Sequence, residues 1–167
     1  MRPLAAAVAA LWAGVAAVSP AYPLTSMDVR VTGAGFGWTI RYAGEDGRLD
    51  TADDVETRRH LRLPARTDIR LELISEDYVY SFSLPALDVS DLAVPGRPFR
   101  LQFRTESPGV SRLMGDQMCG FTHPELMADL IVQRPEEFRS WLAQQVVGGE
   151  SGNSASGLRG RTRRPPG

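Results

Sequence analysis

Apolar and polar positions alternate along most of the middle of this chain. Val29 and Val31, then Phe36, Trp38, Ile40 and Tyr42, stand two residues apart with small or polar residues between them, which is the period of a half-buried strand. The alternation recurs at Leu61 and Leu63, at Ile69, Leu71 and Leu73, at Tyr78, Tyr80, Phe82 and Leu84, and at Phe99, Leu101 and Phe103. Leu130, Ile131 and Val132 read as a last strand. Pro64, Pro85, Pro95-Gly96 and Pro108-Gly109 punctuate these runs, and Pro108-Gly109 is read as the entry to a loop. Gly33, Gly35 and Gly37 fall inside the first pair of strands and predict a bulge or a close backbone approach. Short strands separated by turn signals predict an all-β sandwich or barrel. One short C-terminal helix follows, with Pro135 at its start, Glu136 and Glu137 in its first turn, and Phe138, Trp141 and Leu142 on one core-packing face.

The two ends read differently from the middle. Met1-Arg2-Pro3-Leu4 and an Ala/Val/Leu run lead to Ser19-Pro20-Ala21. One positive charge, about fifteen apolar residues and small residues at the end have the form of a secretory signal. The run is shorter than the ~20 residues that span a bilayer, although an uncleaved leader would tether the protein to a membrane. Residues 1–21 are therefore read as signal peptide or N-terminal anchor, and 22–146 as the folded domain. Residues 147–167, rich in Gly, Ser and Arg, are read as a disordered basic tail with too little apolar content to fold. The folded part is expected to be exported, periplasmic or otherwise extracytoplasmic.

The chain has 167 residues, enough for one domain with its own core. Its 19 basic residues are all arginine. The formal net charge is -1, and the middle of the chain is more acidic once Arg2 and the arginines of the tail are set aside. An acidic domain argues against nucleic acid and is compatible with a basic protein partner. Residues 44–54 carry a cluster of carboxylates, without the spacing of an EF-hand calcium loop, and are read as a solvated loop.

The chemistry of the chain gathers at residues 115–127. This stretch holds the only cysteine, Cys119, and one of the two histidines, His123, with Met127 at the same interval again. A thiolate, an imidazole and a thioether are the donors of an electron-transfer copper site, which adds a second imidazole. The same residues also fit a small buried hydrophobe and a hydrogen-bonded loop histidine. With His60 and His123 the only imidazoles, no hydrolytic constellation is visible: a Cys119–His123 pair has no orienting acid that the sequence locates.

The order of several motifs resembles the copper domain of cytochrome c oxidase subunit II. They are Val31-Thr-Gly-x-x-Phe36-x-Trp38, then Leu71-x-Leu-x-Ser75-Glu-Asp77-x-x-Tyr80-Ser-Phe82-x-x-Pro85, Val94-Pro-Gly-Arg97, Pro108-Gly109 and Cys119-Gly-x-x-His123. The resemblance covers about residues 27 to 144 and implies a cupredoxin-like Greek-key β-sandwich with its metal loop between the last two strands. It implies a non-catalytic electron-entry subunit of the respiratory chain, with membrane oxidase subunits or a c-type cytochrome as partners. The family's two-copper centre uses two bridging thiolates, two histidines, a methionine and a glutamate carbonyl. Here the ligand positions are substituted by Tyr80 (for histidine), Gly115 (for the first cysteine), Gln117 (for glutamate) and Leu126 (for methionine); Cys119 and His123 match. The electron-entry aromatics are Phe36, where the family carries tryptophan, and Trp38.

Three readings follow. The one the residues favour is a respiratory-lineage domain that has lost the dinuclear copper centre and serves as a structural or interaction module. The alternative is a mononuclear copper electron-transfer protein using Cys119, His123 and Met127, one ion at most, with a fourth position left to Tyr80, water or His60. The third is thiol-based copper delivery or redox sensing at Cys119.

Overall fold

The computed structural model describes residues 26–117 and 123–153. The expected leader, the Cys119 loop and most of the basic tail lie outside the described residues. Within them the chain forms ten strands: β1 (Ser26–Ala34), β2 (Gly37–Tyr42), β3 (Val55–Arg58), β4 (Leu61–Pro64), β5 (Asp68–Ser75), β6 (Tyr80–Leu84), β7 (Val89–Ala93), β8 (Phe99–Arg104), β9 (Gly109–Gln117) and β10 (Ala128–Gln133). Two five-stranded sheets result, in the orders β3-β2-β1-β5-β8 and β4-β10-β9-β6-β7. β1 runs parallel to β5 and β10 parallel to β4; the other pairings are antiparallel. The fold is the cupredoxin-like β-sandwich.

The alternation read from the sequence is what builds the core. Val29, Val31, Ile40, Leu63, Leu71, Leu73 and Leu84 point between the sheets at 0–1% exposure. Each such side chain contributes roughly 1.5–3 kcal/mol of burial free energy. A helix, α1 (Pro135–Asn153), closes one open side of the sandwich. Its Phe138 and Trp141 meet the ring of Tyr42 edge-on, and Arg62 lies over Trp141 at 5.2 Å. The helix continues past residue 146, where the sequence reading ends the domain, because its backbone bonds are local and need no sheet to satisfy them. Among the described residues no helix is long and apolar enough to cross a membrane.

Several sequence expectations need correction. Phe36 is not a strand residue: with Gly35 it forms the two-residue β1–β2 turn, and both have positive φ, 61° and 55°. Tyr78 lies in the bend before β6 rather than in the strand. The segment after Pro108 is strand β9 and not loop, and β3 and β7 were not visible in the pattern. Each of these three strands carries polar residues on both faces or at a sheet edge, so the period-two signal is weak.

The acidic loop at 44–54 is folded back onto the outer face of the first sheet. Arg30 and Arg41 stand directly opposite each other on β1 and β2, a like-charge pair that is unfavourable alone. Asp50 grips Arg30 through two bonds of 2.6 and 2.9 Å and reaches Arg41 at 3.2 Å. Glu72 and Glu56 complete the neutralisation.

Candidate metal centre

The residues singled out from the sequence converge on one pole of the sandwich, where the β1–β2 turn, the bend before β6 and the return from the Cys119 loop meet. Cys119 lies outside the described residues, and so does the side chain of Gln117, whose backbone pairs with Tyr80 at the end of β9. His123 precedes a short 3-10 turn, Pro124–Leu126, and Met127 follows it with extended backbone into β10. The His123 ring stacks on Phe36, with centroids 4.1 Å apart and planes 16° apart. Phe36 in turn stacks on Tyr78 at 5.4 Å and 15°. Three rings from three segments thus form one pile.

Phe36 holds this position against a backbone preference. A non-glycine residue in the left-handed region costs roughly 1–2 kcal/mol. Its N–H donates to the Tyr80 hydroxyl at 3.3 Å, and the neighbouring Gly35 N–H donates to Asp77 at 2.7 Å. The turn is therefore tied at two points, to the bend before β6 through Asp77 and to the start of β6 through Tyr80.

Beneath the pile, the rings of Tyr80 and Trp38 pack inward side by side. Tyr80 is fully buried, and its ring lies against the backbone of Gly33: a Cβ placed there would stand 2.5 Å from Tyr80 Cδ2. The Tyr80 hydroxyl donates to Asp77 Oδ1 at 2.7 Å. Burial and then the adjacent carboxylate push this phenol up to about 12. Loss of some hydration works against charge on Asp77, but the Gly35 N–H, the Tyr80 hydroxyl and the Tyr78 N–H outweigh it and hold the carboxyl below the usual range. Trp38 is buried beside Tyr80, with ring centroids 5.8 Å apart. Its indole N–H donates to the Leu126 carbonyl at 2.9 Å. A Cβ at Gly115 would stand 2.7 Å from Trp38 Cζ2, 2.9 Å from the Leu126 oxygen and 3.0 Å from the indole nitrogen. Real Cβ atoms do not approach so closely.

His60 is engaged elsewhere. Its Nδ1 accepts the Asp129 N–H at 3.1 Å and lies 3.3 Å from the Asp129 carboxylate. Nδ1 is the acceptor in that bond, so it is not offered to a metal. Among the described residues no three His, Cys, Asp or Glu side chains are grouped as a metal would require. Asp77 and Tyr78 are the site residues that sequence reasoning passed over. Their signal was the spacing of Asp77 three residues before Tyr80, within reach of one bend.

The model of the family described as cytochrome C oxidase subunit II, periplasmic domain, matches residues 31–133, more than half of the chain. The chain belongs to this family. Among curated subunit II relatives it is 26% identical over 156 residues to an alternative cytochrome c oxidase subunit 2 of Bradyrhizobium diazoefficiens, covering 80% of this chain and 56% of the relative. It is 27% identical to cytochrome c oxidase subunit 2 of Thermostichus vulcanus, covering 70% of this chain and 32% of that one. The subunit 2 of Cyberlindnera saturnus is 30% identical, with 60% and 40% covered. The chain thus spans about half or less of the length of these relatives. In structure it is similar to the periplasmic domain of subunit II of the cytochrome oxidase of Bradyrhizobium japonicum, with TM-score 0.64 and 21% identity over 75% of this chain and 97% of that one. A subunit II domain captured in a mixed disulfide with a thioredoxin-like protein superposes with TM-score 0.60 and 22% identity, covering 74% and 93%. Both likenesses are of fold.

Proposed function

We propose that this chain is a subunit II-type domain that works on the exported side of a membrane without a dinuclear copper centre, as a structural and interaction module of a respiratory assembly. The observation that carries this reading is the packing of Trp38 against Gly115. Two copper ions need two bridging sulfurs, and position 115 has neither a side chain nor room for one. The substitution at Tyr80 is of the same kind. Tyr80 brings a neutral phenol, already bonded to Asp77 and Phe36, where the family carries an imidazole. The residues present do not fit the two-copper group. Partners consistent with the lineage are membrane oxidase subunits or a c-type cytochrome. Copper analysis of the chain purified from its own host tests the reading. Far less than one copper per chain, and no shift in melting temperature on adding copper, is the expected result. Two coppers per chain would overturn it.

The alternative is a single copper held by Cys119, His123 and Met127. Two features favour it. Stacking on Phe36 fixes the His123 ring by its face, while a metal binds imidazole at its edge. Met127 also follows His123 by four residues with only one short turn between them. This reading requires one copper per chain and a thiolate-to-copper absorption band that disappears in Cys119→Ser.

A further inference from the structure

Tyr80 and Asp77 form a pair whose chemistry the metal question leaves unused. The Tyr80 ring has no exposure, yet its hydroxyl reaches an exposed carboxylate 2.7 Å away. The ring of Tyr78, 47% exposed, meets Tyr80 edge-on with centroids 6.4 Å apart. Trp38 flanks Tyr80 inside, but its N–H faces the Leu126 carbonyl, which is not a base that can take a proton. Tyr42 is as deeply buried as Tyr80. Its hydroxyl accepts the Arg62 N–H at 3.0 Å, and no carboxylate is hydrogen-bonded to it.

We propose that Tyr80 is a redox-active tyrosine, with Asp77 as its proton acceptor and Tyr78 as its electronic contact with the surface, able to hold one oxidising equivalent taken from a high-potential one-electron oxidant of the ferryl-haem class. The oxidant removes one electron from Tyr78, whose phenolic proton goes to water. An electron then passes from Tyr80 to Tyr78, which regains its proton. The Tyr80 O–H bond breaks and its proton moves to Asp77 Oδ1. The net change is one electron gained by the oxidant, a neutral phenoxyl radical at Tyr80 and a protonated Asp77. Re-reduction returns the proton along the same hydrogen bond. A phenol that has lost an electron is a strong acid, so a carboxylate in hydrogen-bond contact accepts its proton even though that carboxylate is ordinarily hard to protonate. Trp38 and Tyr42 have no such acceptor, and the hole settles at Tyr80. The inference rests on the chain's own side chains and does not require that copper be absent in the cell.

The test is freeze-quench electron paramagnetic resonance of the metal-free chain oxidised by photogenerated ruthenium(III) tris-bipyridine. A tyrosyl signal with the high-field g-tensor of a hydrogen-bonded phenoxyl is expected in the native protein. Tyr80→Phe should lose that signal, Asp77→Asn should shorten its lifetime, Tyr78→Phe should slow its formation, and Tyr42→Phe should leave it unchanged. A signal that survives Tyr80→Phe in a folded chain, or is indifferent to Asp77→Asn, overturns the proposal. Should the variants fail to fold, a native signal without the hydrogen-bond signature overturns it by itself.

Discussion

The indole of Trp38 occupies the space that a side chain at position 115 would need, and it is pinned there by its bond to the Leu126 carbonyl. These two contacts turn the absence of a cysteine into a packing requirement. Adding a side chain at 115 must move either a buried ring or the backbone entering β10.

The first prediction concerns that requirement. Gly115→Ala is expected to destabilise the domain by about 1–3 kcal/mol, the usual range for overpacking a tight core. Gly115→Cys should cost a similar amount and should not raise the copper content above that of the parent chain. Urea unfolding and metal analysis of the two variants check this.

Phe36 balances strain against stacking. Phe36→Gly relieves the left-handed backbone, a gain of about 1–2 kcal/mol, and loses ring contacts worth about 0.5–1.5 kcal/mol each. With three such contacts, to His123, Tyr78 and Tyr80, the loss outweighs the gain, and the variant should be less stable than the parent. The His123 ring protons, which now lie over an aromatic face, should move downfield in the proton NMR spectrum. Unmoved resonances would mean that the stack does not persist in solution.

The acidic loop should be sensitive to acid. Hydrogen bonding to Arg30 holds the Asp50 carboxyl below its ordinary range. A depressed pKa stabilises the fold above the unfolded value, near 3.9, and that stabilisation is lost as pH falls through the folded value. Asp50→Asn should flatten the acid limb of the stability profile. It should also raise amide exchange across residues 44–54 at neutral pH, because Arg30 and Arg41 would then face each other with only Glu72 and Glu56 to neutralise them.

Tyr80 should show at the alkaline end. Its folded pKa is raised to about 12 against roughly 10 in the unfolded chain. The folded state keeps the proton that the unfolded state gives up, so stability is full below pH about 10 and falls as pH rises toward the folded value. Tyr80→Phe should lose part of this alkaline dependence. The loss of its two hydrogen bonds, to Asp77 and from Phe36, should also cost about 0.5–1.5 kcal/mol each at neutral pH. Denaturant midpoints across pH, with phenolate absorbance, measure both.

Much of the fold was legible because the core strands carry a clean alternation. Val29, Val31, Leu71, Leu73 and Leu84 announce their own burial, and one face of a sheet is decided by period two alone. The aromatic turn was not legible. Phe36 continues the alternation into Trp38, Ile40 and Tyr42, and nothing local says that the chain reverses one residue earlier. The turn is held by Asp77 and Tyr80, more than forty residues away. Strand β7 was hidden for a related reason: as the edge of its sheet it needs no strong pattern to pair.

The sequence by itself determined the β class, the order of the motifs and the absence of sulfur at position 115, because these are properties of residue identity and spacing. It also supplied the family, since the motifs keep their order along the chain. Only the tertiary structure decided what packs around Gly115 and Tyr80. Trp38 and Gly115 are far apart in sequence, as are Tyr80 and Gly33, and neither pair of contacts exists until the two sheets close. Which groups touch at the pole is a long-range packing outcome, and no local pattern encodes it.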